Sequence, residues 1–102
     1  MKCKSYNFFS VLSNELRWKI VKSLYKKEMT VSQICQALEE EQSKVSHSLR
    51  ALLDCNFVFS KRQGKNIIYS LNRKTIRPLI KIVNIHAKDY CKTKCCKKEA
   101  KK

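Results

Sequence analysis

The chain has 102 residues, with 23 Lys and Arg against 8 Asp and Glu, a formal net charge of +15. Apolar residues make up 43%, and one Gly and one Pro occur, which suits a single small folded domain and favours helices over a many-stranded sandwich. So large a positive excess attracts a polyanion: nucleic acid first, an anionic membrane surface as the rival. No apolar run reaches the ~18 residues of a transmembrane helix. The start, Met1-Lys2-Cys3-Lys4-Ser5, lacks the apolar stretch of a signal peptide. The expectation is a cytoplasmic protein with no membrane partner, whose six Cys are reduced thiols rather than disulfides.

In chain order, Tyr6 to Leu12 read as a short helix carrying Phe8, Phe9 and Leu12. Ser13 or Asn14 caps a second helix that runs to about Lys27 and buries Leu16, Ile20, Val21 and Leu24 at helical spacing. Thr30 caps a third, with Val31, Ile34, Cys35 and Leu38 on one stripe. The acidic run Glu39-Glu40-Glu41 interrupts the pattern. A fourth helix starts near Gln42 or Ser43, turns Val45, Leu49, Leu52 and Leu53 inward, and ends at Asn56, a residue that tolerates the left-handed conformation.

The period then changes. Phe57–Arg62 and Asn66–Leu71 are rich in aromatic and branched residues, and Gln63-Gly64-Lys65 between them holds the single Gly, so a β-hairpin is expected. A last helix follows with Thr75 as cap and Pro78 in its first turn. Ile76, Leu79, Ile80, Val83, Ala87 and Tyr90 form its stripe, which Ile82 and Ile85 widen. That face is too broad for one small domain to cover. Residues 5–90 thus make one mainly α domain with a β-hairpin, followed by a Lys- and Cys-rich tail over 91–102.

Two short helices separated by a few polar residues, then a basic hairpin, is the order of a winged helix-turn-helix. A helix that enters the major groove needs donors and small residues outward. The fourth helix offers Gln42, Ser43, Lys44, Ser46, His47 and Arg50, and Lys61, Arg62 and Lys65 cluster at the hairpin tip, where a wing grips phosphates. The plain alternative is a solvated helix face and a solubilising tip.

From about Phe8 to Tyr90 the chain resembles the ArsR/SmtB metalloregulatory repressors. The resemblance rests on Leu12-Ser13-Asn14-Glu15-Leu16-Arg17, Val31-Ser32-Gln33-Ile34, Gln42-Ser43-Lys44-Val45-Ser46-His47-Ser48-Leu49, and Val58 through Lys65 continuing into Ile68-Tyr69-Ser70-Leu71. It implies a homodimer joined through the first and last helices, bound to a double-stranded operator and released by a ligand. Glu41 departs from the family, which has a small helix-capping residue there. A carboxylate suits the helix dipole but faces the DNA phosphates.

Each sensing site of the family has to be tested on these residues. The thiol site at the start of the third helix falls on Thr30 and Ser32, poor ligands for a soft metal. The interhelical zinc site keeps His86 and Asp89, but its other pair falls on Arg73 and Thr75, and Arg cannot ligate. Cys35 and Cys55 read as small core residues. Cys91, Cys95 and Cys96 lie among Lys92, Lys94, Lys97 and Lys98, whose ammonium groups favour the thiolate. Three thiolates suit a thiophilic inducer such as As(III), Sb(III) or a soft divalent ion, to which Cys3 adds a fourth ligand if the first helix packs beside the last. DNA binding itself requires no cofactor. A thiol-redox-responsive repressor and a basic DNA-binding protein without an inducer remain as alternatives. An enzyme is not expected, because the chain has no Gly-rich phosphate loop, no paired carboxylates in a cleft and no nucleophile triad.

Overall fold

A computed structural model of the chain describes residues 5–90. The chain divides into two compact units, Met1–Asn72 and Arg73–Lys102. The first holds α1 (Ser5–Leu12), α2 (Glu15–Lys26), β1 (Met29–Thr30), α3 (Val31–Leu38), α4 (Gln42–Asp54), β2 (Val58–Gln63) and β3 (Asn66–Leu71), and the second holds α5 (Ile76–Asp89).

Side chains of short polar residues set the helix boundaries. Asn14, not Ser13, caps α2: its side chain accepts the Arg17 backbone N–H at 3.0 Å, a bond worth about 1 kcal/mol. Arg17 Nε in turn donates to the Val11 carbonyl at 2.6 Å, and the Ser13 hydroxyl donates to the Ser10 carbonyl at 2.8 Å. Two of the last carbonyls of α1, those of Ser10 and Val11, are thereby satisfied across the turn. Thr30 and Gln33 close a reciprocal capping box at the start of α3.

Helices α3 and α4 are both followed by a residue with positive φ. Glu39, after α3, sits at φ 55, and Asn56, after α4, at φ 61. At the end of α4 the N–H of Asn56 donates to Leu53 and that of Phe57 to Leu52, at 3.0 and 2.9 Å. This is the paired pattern of a Schellman motif, with apolar residues at both ends of its longer bond.

Met29 and Thr30 form a strand that the sequence pattern does not announce. They pair with Tyr69 and Ile68, so the hairpin is the larger part of a three-stranded antiparallel sheet of order β1-β3-β2. The hairpin turn is tighter than expected. Gln63 pairs with Asn66, leaving Gly64-Lys65 as a two-residue loop. Gly64 has φ +64 and Lys65 does not, the φ pattern of a type II′ turn, in which glycine takes the first position.

The core of the first unit joins Leu12, Ile20, Val21, Leu24, Ile34, Val45, Leu49, Leu52, Phe57, Val58 and Leu71. Phe8 reaches it through its ring, whose centroid lies 4.8 Å from that of Phe57. Leu16 and Leu53, expected inward, are half-buried. Leu16 lies in the first turn of α2 and lines an open hollow, and Leu53 lies at the edge of the Leu52 stripe. In the second unit Pro78 occupies the first turn of α5, where its missing N–H removes no helical bond. Ile76 and Ile80 are buried, whereas Ile82, Ile85 and Tyr90 are 63%, 49% and 73% exposed.

Candidate nucleic-acid interface

Helix α4 separates its residues by chemistry. At about 100° per residue, Val45, Ser48, Leu49 and Leu52 share one side, and all are buried. Ser43, His47 and Arg50 lie opposite, Gln42 and Ser46 lie on one flank, and all are exposed. Lys44 is exposed on the other flank, where it lines a shallow hollow with Asn14, Glu15, Leu16, Lys19 and Glu40. It therefore sits apart from the centre of the polar face. Arg50 Nε lies 3.9 Å from Asp54 Oδ1, an exposed pair one helical turn apart. Asp54 thus joins the polar face, and its i+4 spacing from Arg50 is the sequence signal for the pair.

The hairpin carries its charge on two faces. The register sets Lys61 opposite Ile68 and Arg62 opposite Ile67. Because strand side chains alternate, Arg62 shares a face with Ser60 and Val58, and Lys61 shares the other with Phe59. Lys65 is in the loop, and all three basic residues are exposed. Phe59 and Ile67 are also exposed, at 46% and 42%. The hairpin is thus a thin, two-sided basic projection, with Phe59 on the face of Lys61 and Ile67 opposite Arg62. Since β2 follows α4 after Cys55, Asn56 and Phe57 within the same compact unit, the fold fixes the hairpin relative to α4.

Among the described residues no group of three His, Cys, Asp or Glu is placed to hold a metal ion. His86 and Asp89 are exposed one turn apart on α5, and the His86 ring lies against Tyr90 at 5.4 Å. Arg73 and Thr75 supply no second ligand pair, so the donor set does not fit an interhelical zinc. Thr30 is committed to the α3 capping box. Cys35 and Cys55 are half-buried thiols. Cys3, Cys91, Cys95 and Cys96 lie outside the described residues. No described helix is long and apolar enough to cross a membrane.

Comparison with known proteins bears on this arrangement. Residues 14–60 match the family described as "Bacterial regulatory protein, arsR family". The chain is 32% identical over 82 residues to the transcriptional repressor SmtB homolog of Synechocystis sp., covering 80% of this chain and 62% of that protein. It is 28% identical over 90 residues to the probable mercury resistance operon repressor of Streptomyces lividans, covering 87% and 72%. It is 38% identical over 74 residues to the transcriptional repressor PagR of Bacillus anthracis, covering 72% and 74%. The crystal structure of PagR superposes with a TM-score of 0.68 at 36% identity, over 74% of this chain and 86% of that one. Helices α3 and α4, the polar outer face of α4 and the basic hairpin that follows are the winged helix-turn-helix of a member of the ArsR family.

Proposed function

We propose that the chain is a cytoplasmic transcriptional repressor that binds a double-stranded DNA operator as a homodimer. The observation that carries the reading is the division of α4 into a buried side of Val45, Ser48, Leu49 and Leu52 and an exposed side of Gln42, Ser43, Ser46, His47 and Arg50, with Lys44 at its edge. Such a helix offers the major groove donors that match base edges. Lys61, Arg62 and Lys65 grip phosphates as the wing, on both faces of the hairpin. The net charge of +15 supplies the sequence-independent part of the affinity. A second copy covers the apolar surface of α5 around Ile82 and Ile85, and DNA binding needs no cofactor.

The inducer in this reading is a thiophilic ion, As(III), Sb(III) or a soft divalent metal, held by thiolates of Cys91, Cys95 and Cys96. Three thiols among lysines form a donor set that soft ions prefer, and the described residues offer no competing centre. Fluorescence anisotropy on an operator duplex, titrated with arsenite, antimonite or Cd(II), tests it. Wild type and Cys35→Ser should release DNA, and Ser at Cys91, Cys95 or Cys96 should bind but not release. Normal release by a chain cut after Tyr90 contradicts the tail as sensor. Release by peroxide that dithiothreitol reverses, without release by any ion, moves the reading to a redox switch.

A further inference from the structure

The three acidic residues before α4 have separate surroundings. Glu39 serves the end of α3, its backbone at φ 55 and its N–H on the Cys35 carbonyl. Glu40 is half-buried and lines the hollow shared by Lys19 and Lys44. Glu41 differs from both. It stands at the N-cap of α4 in extended conformation, φ −68 and ψ 145, and its side chain makes no cap bond. A Ser or Asp there would fold back onto the helix N–H groups, whereas the longer Glu chain does not. Glu41 is exposed, and no ion pair engages it among the described residues. An exposed, unengaged carboxylate thus sits at the leading end of the helix whose polar face carries Gln42, Ser43 and Arg50.

We infer that Glu41 is a specificity-determining residue that selects cytosine at one operator position by accepting its exocyclic N4–H. This rests on the reading of α4 as the groove helix. The N-terminal residues of such a helix are those that reach base edges. In the major groove cytosine presents a donor and no acceptor, and a carboxylate presents acceptors and no donor. Guanine offers only acceptors at its groove edge, and thymine an acceptor and a methyl group, so both leave the carboxylate desolvated without a partner; adenine offers a donor, but its N7 acceptor beside it repels the second carboxylate oxygen. Near phosphates such a charge is costly unless a base donor compensates it. Glu41 therefore discriminates by rejection as well as by attraction. Replacing it with Ser supplies a cap and removes the charge, so affinity for arbitrary DNA rises while selectivity at one position falls.

The test is selection from a duplex pool randomised over 20 base pairs, using the full-length reduced protein, Glu41→Ser and Glu41→Gln. Wild type should enrich cytosine at one fixed position of each half-site. Its Kd on the selected duplex should rise by about 5- to 150-fold when that base pair alone is exchanged, the range of one good base contact. Glu41→Ser should lose the preference at that position only and bind non-selected duplex more tightly. Glu41→Gln should move the preference toward adenine, whose edge pairs an acceptor with a donor. If both variants bind every duplex more tightly with unchanged preference at all positions, Glu41 merely repels phosphate and the inference is wrong. If wild type itself enriches no sequence, the groove assignment of α4 fails and takes this inference with it.

Discussion

Arg50→Ala separates base reading from charge. In the structure the guanidinium rests beside Asp54, 3.9 Å away, with the two side chains 79% and 54% exposed. An exposed i,i+4 pair of this kind contributes about 0.3–0.5 kcal/mol, and Ala is the better helix former, so folding stability should hold within about 0.5 kcal/mol. The same weakness means that Arg50 leaves Asp54 for a base edge at little cost. A bidentate Arg–guanine contact is worth roughly 1–3 kcal/mol, so the ratio of Kd values on operator and scrambled duplex should fall by about 5- to 150-fold. The lost positive charge weakens both duplexes alike and cancels from that ratio. Asp54→Asn should tighten operator binding by about twofold, and that gain should vanish in the Arg50→Ala background. Fluorescence anisotropy on the two duplexes at fixed salt reads all of this. An unchanged ratio in Arg50→Ala would refute the placement of Arg50 at a base edge.

Three further outcomes follow from single positions. Lys65→Gln in the hairpin loop should lower the slope of log K against log salt by about 0.9, the value of one phosphate contact, without altering base preference; anisotropy over a salt series measures it. Glu39→Gly should raise thermal stability, because a non-glycine residue at φ 55 carries a strain of about 1–2 kcal/mol. The greater unfolded-state freedom of Gly offsets part of that, leaving about 0.5–1 kcal/mol, or about 2–6 °C in the midpoint of a melt followed by circular dichroism. Ile85→Asp on the exposed side of α5 should convert a dimer to monomers in sedimentation velocity at micromolar concentration while leaving the helix content intact.

The helices and the hairpin were legible because their apolar residues repeat at the periods that helices and strands impose. Thr30 and Asn56 marked boundaries for the same reason that they form them, namely a short capping side chain and tolerance of positive φ; Thr75 stands at the N-cap of α5, as expected, but its side chain makes no cap bond. Strand β1 was not legible: at two residues, Met29 and Thr30, it is too short to show an alternation, and Thr30 doubles as the cap of α3. Gln63 reads as turn in the sequence because polar residues beside Gly read as loop, whereas the two-residue turn at Gly64 draws it into the ladder. The outward face of α4 was legible from its inward face, being its complement. What composition did not convey is direction: that Lys44 sits at the flank of α4, that Lys61 and Arg62 face opposite ways, and that Glu41 leaves its helix uncapped. Each depends on helix phase, strand register or cap geometry, which a count of charges does not contain.

As a repressor dimer the protein would set two copies of α4 in successive major grooves. Hydroxyl-radical footprinting on DNA from upstream of its own coding region should then show two protected half-sites related by a dyad and centred about 10–10.5 base pairs, or a whole multiple of that, apart, with protection lost in Arg50→Ala at concentrations where wild type is saturated. Uniform, sequence-independent protection that rises and falls with salt alone would contradict it and leave a basic protein coating DNA through its charge.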